Sequence, residues 1–281
     1  MKITYSKETR ETAENLRIID DAFFRLLAEK EDVCQEILQT LLEDPELRVL
    51  KSEAQVTETS LHREVTMDAL CITQKNRLCN VEMQKGNCYD DVARTRFHAS
   101  LVTANHTPKG TDFSDVPDVT IVYITEYDAL NNQRTVTHVS RCMETDTGKY
   151  VPVNDGEDIV YANTCIVDDS DKSRLLQLML RKDSFYDERF PAVSNAVKYY
   201  KESKGGQEEM CEAIEKLANS RIKQLEDAIE EKVRIETRIE TRIEVISKFL
   251  GNGGSETDAQ NMLDASPEEI DKAKELLLQP V

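Results

Sequence analysis

The seven residues Val119-Thr-Ile-Val-Tyr-Ile-Thr125 are almost entirely apolar or β-branched. A strand of that composition has no polar face to turn toward water, so it must be covered on both sides. That demand constrains the chain more than any other feature, because it requires a sheet with this strand inside it and other layers packed over it. Helical cover is available upstream. In residues 10–43, Leu16, Ile19, Phe23, Leu26 and Leu27 form one apolar stripe, continued by Ile37, Leu38, Leu41 and Leu42. The spacing predicts one helical stretch, stopped by Asp44-Pro45. Residues 89–105 and 173–180 are further helix candidates.

Two β-rich runs precede the buried one. Val65-Thr-Met-Asp-Ala-Leu-Cys-Ile-Thr73 and Leu78-Cys-Asn-Val-Glu-Met-Gln84 are separated by Gln74-Lys-Asn-Arg77, which fits a turn. Residues 135–142 and 159–167 add strand candidates, and residues 128–133 and 146–156 are turn-rich. The order of elements predicts an α/β fold with a mixed sheet.

Composition removes several alternatives. The chain has 281 residues, 39% hydrophobic and 32% charged, so its apolar clusters are enough for a sizeable core. No apolar run approaches the roughly 18 residues of a membrane span, and the N-terminus lacks the apolar segment of a secretory signal. Seven cysteines without a CxxC pair argue against a disulfide scaffold or zinc knuckle and for a reducing, cytoplasmic setting. GxxxxGK[ST], GxGxxG, GxSxG and HExxH are all absent, which disfavours nucleotide-dependent enzymes, serine hydrolases and zinc hydrolases. A net charge of −18 means that nucleic acid could be met only through a local patch or a metal ion.

Asp68 lies in the first β-rich run, and Glu82 and Gln84 lie in the second. Alternation puts Glu82 and Gln84 on one face and Met83 and Lys85 on the other. In an antiparallel hairpin, position 68 is expected to face position 83 or 84, leaving the two carboxylates neighbours or diagonal neighbours. Carboxylates that close repel unless a cation lies between them, and a hard ion such as Mg²⁺ or Mn²⁺ is the simplest resolution. Two acids exposed on a polar sheet face would have the same spacing.

The wording around these residues narrows the choice. Val65-Thr-Met-Asp-Ala-Leu-Cys71, Asn80-Val-Glu-Met-Gln-Lys85 and Arg94-Thr-Arg-Phe-His98 resemble the PD-(D/E)XK nuclease family transposases, related to the Rpn recombination-promoting nucleases. Asp21-Ala-Phe-Phe-Arg-Leu-Leu27 is similar to the signature on that family's first helix, and the resemblance extends over residues 15–200. It implies a restriction-endonuclease-like core and metal-dependent cleavage of DNA phosphodiester bonds. It also implies roles residue by residue: Asp68 and Glu82 as metal ligands, Gln84 in the place of the superfamily lysine, Asp21 as an accessory acid, and Arg25 as its partner or a phosphate contact. Arg94 would touch a phosphate, with Lys85 ranked behind Gln84. His98 reads as a structural or exposed histidine rather than a general base, and His138 has less claim still.

Beyond the core, residues 201–207 with Gly205-Gly206 read as a boundary, giving a nuclease-like domain at 1–205, a long helix at 206–250 and a small helical tail at 251–281. Arg234-Ile-Glu-Thr237 recurs as Arg238-Ile-Glu-Thr241 and Arg242-Ile-Glu244. This repeat suits a coiled coil or homo-oligomer seam as well as a lone helix. Gly251-Asn-Gly-Gly254 is expected to end the helix, and Ser266-Pro-Glu-Glu269 has the form of a capping box. Two functions remain: a DNA endonuclease, or a catalytically degenerate nuclease fold serving as an oligomeric interaction module.

Overall fold

The computed structural model describes residues 5–60 and 64–278. Its compact units are Met1–Leu217 and Ala218–Val281. The first holds helices α1 (Lys7–Asn15), α2 (Asp21–Ala28) and α3 (Glu31–Leu42), followed by strands β1 (Val49–Thr59), β2 (Glu64–Thr73) and β3 (Leu78–Gln84). Helix α4 (Asp91–Asn105) and strands β4 (Val119–Thr125), β5 (Val136–Val139), β6 (Cys142–Glu144), β7 (Tyr150–Pro152) and β8 (Glu157–Asn163) come next. Helices α5 (Asp171–Leu178), α6 (Pro191–Glu202) and the start of α7 (Lys204–Gly251) complete it.

Six strands form one mixed sheet in the order β1-β2-β3-β4-β8-β5, and β6 and β7 pair as a separate ribbon. β1, β2 and β3 are antiparallel, β3, β4 and β8 run parallel, and β5 closes the far edge antiparallel to β8. The mixed sheet with helices on both faces is the α/β architecture expected. Every residue of β4 is buried, as its composition requires. One face carries Phe23, Leu27, Ile37, Leu38 and Leu41 packed on Cys71, Val81 and Val122. On the other, Ala99 and Val102 of α4 cover Leu70, Leu78, Ile121 and Tyr123.

Several local expectations change. The stretch 10–43 is three helices rather than one. Leu16 is extended (φ −62°, ψ 140°), ending α1, and Lys30 is extended (φ −104°, ψ 109°) before α3. α3 stops at Leu42, with Glu43 left-handed at φ 54°, just ahead of Pro45. β1 escaped sequence reading because it is an edge strand whose pattern is broken by charged and polar residues. α6 was not anticipated either. Gly205 and Gly206 do not terminate the first unit: they lie inside α7, where a Cβ on Gly206 would run into the Tyr199 carbonyl and the Tyr200 backbone. The glycine pair serves close packing there, not a linker.

The second unit comprises α7 from Ala218 onward, α8 (Glu256–Leu263) and α9 (Pro267–Leu277). Ile246, Ala259, Ala265, Ile270 and Ala273 form its core. α7 ends at Gly251, and Gly253 adopts φ 93° just beyond, a conformation glycine takes without strain. The Ser266 capping box is present, with Pro267 in the first turn. Arg242 Nε donates to Glu269 Oε1 at 2.5 Å, and its Nη2 donates to the carbonyls of Leu263 and Asp264. That guanidinium therefore satisfies carbonyls at the end of α8.

Candidate active site

Asp68 sits where β2 rolls over. Ala69 packs into one core and Met67 into the other, and on β1 Ala54 and Val56 divide the same way. Residues two apart in a regular strand share a face, so both strands turn over together here. Gln55, between the pairs Ala54↔Ala69 and Val56↔Met67, has φ 55°. Its amide Nε2 donates to Asp68 Oδ1 at 3.3 Å. The β2–β3 ladder ends at Ala69↔Val81, and beyond it Asp68 Oδ2 accepts the backbone N–H of Met83 at 2.8 Å. A side chain thus satisfies a donor that a continuing strand would have paired. Carried one residue further, this register sets Asp68 level with Glu82, not opposite 83 or 84 as the turn length suggested.

Glu82 alternates onto the face of α4 with Asn80 and Leu78 and is buried. Asn80 Nδ2 donates to Glu82 Oε1 at 2.8 Å. His98 Nδ1 lies 3.4 Å from the same oxygen. Burial, and next the Glu82 carboxylate, push the Asp68 carboxyl up to about 8. The charge of Asp21 adds to that push, while the Met83 N–H and the Gln55 amide oppose it. Asp21 of α2 and Glu82 of β3 therefore both act electrostatically on Asp68 of β2.

Glu82 lines an open cleft of about 530 Å³, with Arg94, Arg96, Phe97 and His98 along one wall and Glu64, Val65 and Thr66 on the other. Among the described residues, four buried side-chain atoms lack a hydrogen-bond partner: Arg25 Nε, Asn80 Oδ1, Arg94 Nε and His98 Nδ1. Native interiors leave few such atoms without a protein, water or ion partner. Two of these residues, Arg94 and His98, line the cleft, and Asn80 is bonded to Glu82 inside it. His98 is buried beside an acid, so it is not the exposed residue one reading allowed.

The other named residues are placed as follows. Arg94 bonds Asp90 at 3.2 Å and presents its head to the cleft. Gln84 is half-buried, and its Nε2 donates to the Gly86 carbonyl at 2.6 Å. Lys85 points to the opposite side, as alternation requires, and pairs with Asp20 Oδ1 at 2.7 Å. Asp20 is a hub that sequence reading missed. It also accepts the Arg17 N–H at 2.7 Å, and Arg17 Nη1 reaches Glu126 at 2.6 Å. Burial works against ionisation of Asp20, but hydrogen bonds from Arg17 and Lys85 prevail and hold its carboxyl below the usual range. His138 lies 3.6 Å from Asp158.

α4 is fixed to the sheet by a second buried acid. Asp91 Oδ1 accepts from Tyr123 at 2.9 Å and from Tyr127 at 2.6 Å, and Thr95 Oγ1 meets the Tyr161 hydroxyl at 2.6 Å. Burial raises both Tyr123 and Tyr127, and the contact with Asp91 adds to it.

A hard divalent ion is the group this donor set would suit. Among the described residues no cluster of three or more His, Cys, Asp or Glu side chains is gathered tightly enough to hold a metal. Asp68 and Glu82 are two hard oxygen donors from adjacent strands, and Mg²⁺ commonly takes only one or two carboxylates. The residues fit such an ion.

No curated protein and no solved structure matches this chain. A family model described as PD-(D/E)XK nuclease family transposase matches residues 17–182, which include α2, β2, β3 and α4 with Asp21, Asp68, Glu82 and Arg94. The span exceeds half of the chain, and the mixed sheet agrees with it: the chain belongs to the PD-(D/E)XK nuclease family transposases.

Proposed function

We propose that this protein is a metal-dependent DNA endonuclease of the recombination-promoting kind, acting in the cytoplasm. The observation that carries the reading is the pairing of Asp68 with Glu82: burial and Glu82's charge push Asp68 up to about 8, and Glu82 lines an open cleft. Asp68 and Glu82 are the ligands for Mg²⁺ or Mn²⁺, with Asp21 an accessory acid. Bound there, the ion supplies positive charge at a scissile phosphate. Around it, Asn80 holds Glu82 in one rotamer, leaving Glu82 Oε2 unbonded to Asn80. Arg94 takes a phosphate oxygen at the cleft wall, and Arg25, whose Nε is unpartnered, takes another or orients the accessory acid. Gln84 lends its amide to position water or phosphate after leaving Gly86. Lys85, committed to Asp20, steadies α2 against β3.

The test is nicking of supercoiled plasmid with Mg²⁺ by the wild type, Asp68→Ala and Glu82→Ala. Cleavage by the wild type alone supports the proposal; equal nicking by all three refutes it.

The chain also self-associates through α7 in this reading. A specific observation supports it: large apolar side chains of α7 stand exposed between residues 222 and 239. The same observation favours the second reading, a degenerate nuclease fold kept as an oligomeric module, should plasmid remain intact.

A further inference from the structure

Ile222, Leu225, Ile229, Val233, Ile235 and Ile239 are each between 46% and 65% exposed on α7. We infer that this stretch pairs with the α7 of a second copy of the chain, parallel and in register, as a two-stranded coiled coil; the inference rests on the self-association just proposed.

Ile222 and Ile229 fall at the first core position of a seven-residue repeat, and Leu225 and Ile239 fall at the second. Among parallel coiled coils, β-branched residues at the first position with leucine at the second, as in Ile222, Leu225 and Ile229, favour two strands. The repeat continues into Ile243 and Ile246, which α8 and α9 already cover within the second unit. The uncovered stretch is thus an extension of a surface that elsewhere has its partner.

Two charged residues interrupt the apolar layers. Lys232 occupies a second core position and Glu236 the next first position, 3.9 Å apart along the helix. They decide the orientation. An antiparallel pair could match Ile222 with Ile246, Leu225 with Ile243, Ile229 with Ile239 and Lys232 with Glu236. Ile246 is 1% exposed beneath the tail helices, so that match would require stripping them away. Confined to the open residues, antiparallel overlap sets Leu225 against Glu236 and Ile229 against Lys232, burying charge on apolar surface. A parallel pair shifted by one heptad has the same fault. Parallel and in register, every apolar layer meets itself; Lys232 faces the partner's Lys232 and Glu236 the partner's Glu236, and each Lys232 reaches the partner's Glu236 one layer away, so no charge is set against an apolar layer.

The experiment uses the full chain with exposed Cys88, Cys142 and Cys165 changed to Ser, so that only added cysteines report. Light scattering should give a dimer mass, and a monomer at all concentrations overturns self-association itself. Ile229→Cys should then form an intermolecular disulfide under mild oxidation, because parallel in-register helices bring that position together. A dimer mass without that crosslink overturns the parallel arrangement. Lys232→Glu should weaken the dimer by about 10-fold or more, and Lys232→Glu with Glu236→Lys should return it to within about 3-fold of the parent. No recovery in the double variant overturns the register. None of these readouts uses nuclease activity, so their failure is separable from failure of the endonuclease proposal.

Discussion

Asp68 Oδ2 accepts the Met83 backbone N–H at the point where β2 leaves β3, so one carboxylate both caps a strand and faces the next strand's acid. The two tasks pull apart under mutation. Asp68→Asn keeps an oxygen that can accept from Met83 while removing the charge that Glu82 opposes. We expect the variant to be more stable than the wild type by about 1 kcal/mol in metal-free urea denaturation. Plasmid nicking should fall by about 100-fold or more.

The pH dependence follows from the same residue. Its folded carboxyl is raised to about 8, above the unfolded value near 4, so the folded state holds the proton more tightly. The resulting stability is fully present below about pH 4 and is lost as pH rises through about 8. In metal-free buffer the melting temperature of the wild type should decline relative to Asp68→Asn between pH 5 and 8. Mg²⁺ competes with that proton, so stabilisation by Mg²⁺ should be larger at pH 8.5 than at pH 6. Thermal melts across that matrix check both signs, and a Mg²⁺ shift independent of pH would contradict the assignment.

Asn80 is fully buried and donates to Glu82. Asn80→Asp, nearly the same shape, replaces that donor with a third acid in the same pocket. The variant should lose about 2 kcal/mol or more at pH 8 and regain much of it at pH 5, measured by urea denaturation.

Lys85 and Arg17 separate packing from chemistry. Lys85 is half exposed, and its ion pair with Asp20 is worth less than about 1 kcal/mol. Lys85→Ala should leave nicking within about 3-fold of the wild type, whereas Arg94→Ala should weaken substrate affinity several-fold with little change in melting temperature. Arg17→Ala, which removes the guanidinium that donates to the largely buried Asp20 and to Glu126, should cost about 1–2 kcal/mol. A larger activity loss for Lys85→Ala than for Arg94→Ala would reverse these roles.

The parts of this fold legible in the sequence are those with strong periodicity or composition. β4 announced itself by its β-branched run, and the β2–β3 hairpin by its alternation about a polar turn. The tail's Ser266 cap followed from local chemistry alone. β1 was hidden because an edge strand tolerates Lys51 and Glu53. The break between α1 and α2 holds Asp20, which gathers Arg17 and Lys85, the latter sixty-five residues away and outside any local window. At the site, the neighbouring strands that carry Asp68 and Glu82 were readable, but their register was not, because β2 turns over at Asp68. Asn80 was equally readable two positions before Glu82, had its side been followed. His98 was not, because its place depends on how α4 lies on the sheet.

That lie is set by Asp91, gripped by two tyrosines from β4 and the segment after it. The helix carrying Arg94 and His98 is consequently bolted at its first turn, where a swinging gate would need slack. A polymer approaching Glu82 would meet a stationary jaw, and the bending needed to seat a phosphodiester in it would have to come from the polymer.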